Sequence, residues 1–519
     1  MAKAMVRKIT LIVHYIISAL LAFILGAPLV LLLFNWVINR KEPSFLPDSG
    51  LLFLIGSSLL LSTTVAVIAT IVGTSCGFLF YKIKSNGFPT YHNILVIPLL
   101  ISPYIFAVAW RDALYLLFGQ YASIYSIWGV IIVHVIIFFP IVMLITGSAL
   151  SSIHSTLEEA GVVITSFKKT VLRIILPLIK HSITLSFLLV LIFSLTDFSV
   201  PAFFGVRTFT TEIFTQFAAF YNYQQAIEQS IILLLVSCSL ILLQFRYLAK
   251  SPVFAIGQKG SSSKCHELTK GKKWIHSSIA FLIIVTIIFP VFILIYQSLS
   301  GSHSYFIEAL VSLKGAIGKS FFLAFCGALL ITAVAMFTSY AELRSDIRLP
   351  GAMLLFLFVT PSTVLGIAYI YFYNTSATAF VYASPIVIIL GYAARFSFIA
   401  HKIIGNGLKQ IPLSMEESGE LVGINTYKRY TKLLIPLLTP SLVTTFLLSF
   451  ILCLNELGTT IMVYPPGTEL MPLKVYTISA NAPVALTSTM TLVNLIVILL
   501  AILIFYYFGK RIKTRFHYD

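Results

Sequence analysis

Long apolar runs, separated by short polar or charged segments, fill the chain from end to end. About 20 apolar residues suffice for a helix to cross a bilayer, and in lipid such a helix satisfies its own backbone groups. Twelve runs of this kind lie at approximately 11–38, 53–80, 93–118, 127–149, 177–200 and 227–248, then 275–298, 317–340, 352–373, 383–404, 436–463 and 487–508. The first is longer than a signal-peptide core and no small-residue cleavage pattern follows it, so it reads as a retained span with the mature chain starting near Met1. The pattern predicts an all-α transmembrane protein of twelve spans.

Composition agrees. Of 519 residues, 58% are hydrophobic and 10% charged, with a mean hydropathy of +0.97, whereas a soluble domain carries about 25% charged residues. A water-soluble globular enzyme is excluded. The formal charge of +17 suggests nucleic acid in a soluble protein, but membrane proteins collect Lys and Arg in their cytoplasmic loops. Placing the N-terminus inside puts most of the basic residues on the cytoplasmic side, which predicts that both termini are cytoplasmic and that no nucleic acid is involved. Seven Lys and Arg fall between Arg246 and Lys273, alongside the run Gly257-Gln-Lys-Gly-Ser-Ser-Ser-Lys264, as expected of a solvated linker that fixes topology. The five cysteines show no CxxC spacing, and all but Cys265 lie in apolar runs. No disulfide framework and no metal site is expected.

Six spans precede the linker and six follow, giving a first half at 1–250, a basic cytoplasmic linker at 251–274 and a second half at 275–519. The sequence repeats to match. A shift of 258 places Pro103 on Pro361, Gly147 on Gly405, Leu150 on Leu408, Ile153 on Ile411, Glu158 on Glu416, Glu159 on Glu417 and Gly161 on Gly419. Parallel repeats of this kind mark a transporter built about an axis along the membrane normal, with its pathway between the halves.

Between the fourth and fifth span of each half lie Thr156-Leu-Glu-Glu-Ala-Gly161, running on to Leu176-Pro177, and Ser414-Met-Glu-Glu-Ser-Gly419-Glu-Leu-Val-Gly423, running on to Ile435-Pro436. Thr156 with Glu159, and Ser414 with Glu417, have capping-box spacing, so each loop is expected to start a short cytoplasmic helix there. Capping alone would explain both glutamates. Their duplication adds a second reading, a pair of matching docking points for a symmetric cytoplasmic dimer.

At these residues the chain resembles the permease subunits of bacterial ABC importers, whose EAA loop reads approximately E-A-A, three residues, G, then nine or so residues to I-x-L-P. Glu417-Ser-Gly419 with Gly423 and Pro436 keeps the full spacing. The first copy has Thr165 where the family has glycine and is one residue shorter before Pro177. The resemblance implies the type I ABC importer permease fold, set in the bacterial inner membrane. It also implies that Glu158, Glu159, Ala160, Gly161, Glu416, Glu417, Ser418, Gly419 and Gly423 form coupling helices seated on a homodimeric cytoplasmic ATPase. A periplasmic or lipid-anchored solute-binding protein would then deliver the solute. ATP and Mg would be bound by that ATPase, with no cofactor in this chain. Gly318-Lys319-Ser320 lacks the first glycine of a phosphate loop, since Leu313 stands in its place.

Asp197 and Glu456 sit in matching spans, each 20 residues after Pro177 or Pro436. Ionisable groups inside a membrane are costly and usually face a pathway or a partner. Together with Asn455 they are pathway candidates; equally, each carboxylate could cap a broken helix. Arg111 and Asp112 could neutralise each other, His134 reads as a hydrogen-bonded packing residue rather than a metal ligand, and Arg395 is a weaker case. Pro103 and Pro361 would kink the third span of each half.

The stretches around Asp197-Phe-Ser-Val-Pro-Ala-Phe-Phe-Gly205 and Leu457-Gly-Thr-Thr, with Tyr464-Pro-Pro-Gly467, resemble fused ferric-iron permeases. Fused thiamine and aminoethylphosphonate permeases look similar, and a carboxylate pair could equally guide a polyamine. A twelve-span secondary transporter is the rival from another class, but it has no need of duplicated loop helices.

Overall fold

In a computed structural model the chain is described at residues 2–38, 49–85, 87–119, 126–248, 266–267, 272–301, 303–345, 347–422, 424 and 426–516. The first half runs through α1 (Ala2–Ile38), α2 (Ser49–Lys82), α3 (Phe88–Leu100), α4 (Pro103–Phe118) and α5 (Ser126–Ser151). It continues with α6 (Ser155–Ile164), α7 (Phe167–Thr170), α8 (Leu176–Thr196), α9 (Ser199–Phe204), α10 (Phe209–Ala218) and α11 (Tyr223–Leu248). The second half runs from α12 (Lys272–Ile283) and α13 (Phe289–Ser300) to α14 (His303–Ser345), α15 (Leu349–Val359), α16 (Ser362–Tyr373) and α17 (Ala379–Tyr382). Then come α18 (Ile386–Lys409), α19 (Leu413–Leu421), α20 (Thr426–Arg429), α21 (Ile435–Asn455), α22 (Thr460–Val463), α23 (Met471–Ser479) and α24 (Val484–Phe516). A two-residue parallel pairing joins Ile83–Lys84 to His266–Glu267. Apart from this strand and 272–274, the linker at 251–274 lies outside the described residues.

Ten described helical stretches are long and apolar enough to cross a membrane, and two bent pairs bring the number to twelve. The bent pairs correct the expectation of kinked third spans. Here α3 meets α4 at 94° and α15 meets α16 at 111°, which are full breaks. Pro103 opens α4 and Pro361 caps α16, positions where the missing N–H is not needed. The residues before them, Ser102 and Thr360, are held extended at ψ 135° and 127°, as a following proline demands. Arg395, on α18, spans the second break by donating to the Thr360 carbonyl at 2.6 Å.

The chain folds as two compact units. One holds 43–305 with 483–492; the other holds 1–42, 306–482 and 493–519. Each unit therefore holds the first span of the other half of the sequence, α1 with the helices of the second half and α12 and α13 with those of the first. Ser18, Ala22, Leu25, Leu29 and Leu32 of α1 form a buried stripe at alternating spacings of four and three, which packs against α15, α16 and α18. Tyr369 donates to the Leu25 carbonyl at 3.1 Å. In the other unit α13 packs on α4, with Trp110 and Phe289 rings 5.1 Å apart.

Within that unit α2 lies along α5 and α8. Gly73 and Gly77 on α2 let the backbones touch, since a Cβ on Gly73 would stand 2.5 Å from the Phe139 carbonyl oxygen and one on Gly77 2.6 Å from Thr146 Oγ1. Without a hydrophobic force between helices in lipid, close backbone approach at small residues four apart is how membrane helices gain packing.

Candidate functional site

The two loop helices, α6 and α19, are built alike. Ile153 turns down after α5 into an apolar cluster with Ala149, Leu150, Ile175 and Ile179, which fixes the start of α6. The capping boxes expected from sequence do not form. α6 begins at Ser155, its N-cap His154 makes no side-chain cap bond, and Thr156 sits inside the helix. α19 begins at Leu413, so Ser414 is also internal, its carbonyl accepting from Ser418 Oγ at 2.7 Å. A capping box does form at Thr208 and Thr211, where α10 starts.

Within each adjacent pair of glutamates the first is the more deeply buried. Glu158 is 2% exposed and ion-paired with Lys82, itself 1% exposed, at the end of α2. Glu416 is likewise buried; Arg344 Nε donates to its Oε1 at 2.7 Å and Tyr340 to its Oε2 at 3.2 Å. Lys82 and Tyr340 each lie 76 residues before the glutamate they hold, which makes them repeat equivalents. Arg344, one turn beyond Tyr340, supplies the positive charge that Tyr340 lacks and also donates to the Ile411 carbonyl at 3.1 Å. Glu159 and Ala160 are exposed, Glu417 and Gly419 half-buried, and Ser418 exposed. Gly161 is buried where a Cβ would meet Thr170 Cγ2 at 2.7 Å, whereas one on Gly419 would meet nothing closer than Arg429 Cδ at 3.8 Å. Gly423 lies outside the described residues. Thr165 ends α6 with extended backbone, and its hydroxyl donates to the Gly161 carbonyl at 3.0 Å.

Apolar side chains on these helices are exposed in register. Val163 and Ile164 are 87% and 80% exposed, and their repeat equivalents Leu421 and Val422 are both 81% exposed. Leu157 and Met415, another equivalent pair, are also exposed. Sequence reasoning missed these, together with Lys82, Tyr340 and Arg344. The 258-residue shift was the available signal, since it aligns the apolar pairs and sets Lys82 on Tyr340.

After each loop helix comes a short helix, then a five-residue π turn, Val171–Ile175 or Tyr430–Leu434. Each π turn hands over to a span whose second residue is Pro177 or Pro436. The prolines lack the N–H of the regular ladder, and the wider turn closes instead from Leu176 and Ile435 to the Val171 and Tyr430 carbonyls.

These spans stop earlier than the apolar runs suggested. α8 ends at Thr196 and α21 at Asn455, each followed by an acid in extended conformation. Asp197 accepts from Ser199 Oγ and the Val200 N–H, both at 2.9 Å. Glu456 accepts from the N–H groups of Thr459 and Thr460 at 2.7 and 3.0 Å and from Thr460 Oγ1 at 2.7 Å. One extra methylene carries the glutamate one residue further along. Both carboxylates thus satisfy the free N–H groups that open α9 and α22. His134 adds a contact of 3.2 Å to Asp197 while its other nitrogen faces Ser194 Oγ at 3.1 Å. Asp112 takes Arg111 at 3.2 Å and Ser488 at 2.7 Å.

The Gly318-Lys319-Ser320 segment is helical, inside α14. Lys319 donates to the Gly467 carbonyl at 2.8 Å, and Ser320 Oγ accepts from Met471 N at 2.9 Å. That last bond spans 151 residues, as does its counterpart from Phe209 N to Ser58 Oγ at 3.0 Å.

Two repeats of six spans, each with a short loop helix locked to the end of an earlier span, define a membrane permease. Residues 339–517 match the family of binding-protein-dependent transport system inner membrane components. The chain is 24% identical over 484 residues, 90% of its length and 93% of the other's, to the Fe(3+)-transport system permease protein FbpB 2 of Haemophilus influenzae. It is 22% identical over 462 residues, 82% of its length and 72% of the other's, to the putative ferric transport system permease protein FbpB 1 of the same organism. A 129-residue stretch, 25% of the chain and 49% of the other, is 25% identical to the putative 2-aminoethylphosphonate transport system permease protein PhnV of Salmonella paratyphi A. The chain is a multi-pass permease subunit with the type I ABC importer fold.

Proposed function

We propose that this chain forms the translocation pathway of an ATP-driven, binding-protein-dependent importer of ferric iron in the bacterial inner membrane. The observation that carries the coupling part is the matched exposure of Val163, Ile164, Leu421 and Val422 on two loop helices at the same place in each repeat. Contiguous exposed apolar side chains beyond the membrane spans mark a partner surface, and two equivalent surfaces suit two equivalent subunits. With both termini cytoplasmic, as the distribution of Lys and Arg favours, these helices face a homodimeric ATPase that binds ATP and Mg. Glu159, Ala160, Glu417, Ser418, Gly419 and Gly423 then complete the docking faces, and a solute-binding protein delivers ferric iron on the other side. ATP binding closes the dimer, draws α6 and α19 together and opens the pathway outward; hydrolysis reverses it.

Ferric iron is favoured because the relatives matched along most of the chain are ferric permeases, whereas the phosphonate relative is matched over a quarter of it. The test is uptake of radiolabelled ferric iron by energised cells with and without the gene, with unlabelled thiamine or 2-aminoethylphosphonate as competitor. Gene-dependent uptake that neither competitor reduces is expected. Gene-independent iron uptake overturns the substrate assignment.

A further inference from the structure

We infer that the buried pairs Lys82–Glu158 and Arg344/Tyr340–Glu416 are the mechanical links that pass movement of α6 and α19 into the membrane helices α2 and α14; this rests on the coupling role proposed above. A loop helix moved by a partner transmits force only through contacts that do not yield. α6 follows α5 through a three-residue turn at 152–154 and returns to the membrane through α7 and a π turn, so the regular α-helical ladder is interrupted on both sides of it. The covalent route is therefore not one continuous α-helix on either side of α6. The ion pair instead joins α6 directly to the last residue of α2, a 34-residue helix, and α19 is joined in the same way near the end of the 43-residue α14. Both partners of the first pair are almost fully excluded from water, and an uncompensated charge at such a site is costly, so the link resists separation.

The two links are not equal. Both oxygens of Glu416 are held, one by Arg344 and one by Tyr340. Among the described residues Glu158 Oε1 takes Lys82, while Oε2 has no hydrogen-bond partner. A planar guanidinium with a hydroxyl fixes a carboxylate in direction, whereas an ammonium acts as a point charge. The α19 link is the stiffer one. Lys82, Tyr340 and Arg344 act as positioning residues, contacting neither solute nor nucleotide.

The experiment uses the complete transporter, with its ATPase and binding protein, in proteoliposomes. Glu158→Gln and Glu416→Gln keep shape and remove charge; Lys82→Glu with Glu158→Lys reverses the pair. The expected result is that the ATPase subunit co-purifies with each Gln variant, while stimulation of ATP hydrolysis by iron-loaded binding protein falls at least ten-fold. The exchanged pair is expected to recover much of it, and Glu416→Gln to be the more damaging single change. Stimulation at the parental level in both Gln variants overturns the proposal, and so does loss of co-purification, which would make these glutamates docking contacts. A parental complex that neither co-purifies nor responds sinks the ABC reading instead. Hydrogen exchange on the full chain needs no partner. Glu158→Gln is expected to raise exchange across 155–164 and leave 413–421 unchanged; unchanged exchange in 155–164 also overturns the link.

Discussion

Val163 and Leu421 occupy the same place in the two repeats, at the ends of α6 and α19, and stand 87% and 81% exposed. Both are largely exposed among the described residues, so replacing them by Asp should alter stability by no more than about 0.5 kcal/mol, as for ordinary surface positions. A charge at the centre of a docking face is costly to bury. The double variant is expected to accumulate normally in the membrane and to bind its ATPase at least ten-fold more weakly, measured by co-purification across a concentration series. Unchanged binding would remove these residues from the interface.

Two glycines on α2 should respond in opposite ways. Gly56 has open space where a Cβ would go, whereas Gly73 faces the Phe139 carbonyl at 2.5 Å. Gly56→Ala is expected to be neutral or to stabilise by up to about 1 kcal/mol through helix propensity. Gly73→Ala forces α2 from α5 and is expected to cost about 1–3 kcal/mol. Thermal unfolding in detergent ranks the two.

The acids at the span breaks are predicted to act as caps. Asp197→Asn keeps one oxygen to accept from Val200 N and offers its amide as a donor to Ser199 Oγ, so it should preserve stability within about 0.5 kcal/mol, whereas Asp197→Ala loses both partners and about 1 kcal/mol or more. Uptake should follow stability in this series and in Glu456→Gln. An Asn variant that folds like the parent yet transports poorly would show that the negative charge acts on the solute.

Glu212, in the segment between α9 and α11, gives the acid response a sign. Burial raises its pKa, but the Arg207 guanidinium at 2.8 Å and the Gln216 amide outweigh burial and hold the carboxyl below the usual range. A depressed carboxylate contributes stability that is fully present above its unfolded value of about 4.3 and is lost as pH falls through the lower folded value. The protection factor of 209–218, which is exchange corrected for the intrinsic pH dependence of free amides, should therefore be constant from pH 7 to about 5 and fall only on stronger acidification. The effect should be small, because Arg207 is exposed.

Apolar run length made the twelve spans legible, and the shift of 258 made the repeat legible. Span ends were harder. Apolar residues resume just past the acids, at Phe198 and Val200 and again at 461–463, so run length alone overshoots the points where a single carboxylate caps the next turn and α8 and α21 stop. Lys82 was invisible for a related reason: a basic residue at the end of an apolar run reads as a topology marker, although here its charge is buried. The loop helices were placed correctly but their caps were not, since Thr156 and Ser414 lie within the helices that they seemed to start. Helix partners escaped entirely, because a uniformly apolar helix in lipid carries no polar face to show which neighbour it packs against.

The bond from Tyr369 to the Leu25 carbonyl joins residues 344 apart in sequence, which has a bearing on biogenesis. α1 leaves the ribosome first, yet the groove that receives it is made of α15, α16 and α18, which emerge only after most of the chain has been synthesised. At about 5–20 residues per second the first span waits roughly tens of seconds in the bilayer before its permanent neighbours exist. During that interval its stripe of Ala22, Leu25, Leu29 and Leu32 must be covered by lipid or by an insertion chaperone. A truncated product ending before residue 349 would leave it orphaned, a form that membrane quality control could recognise.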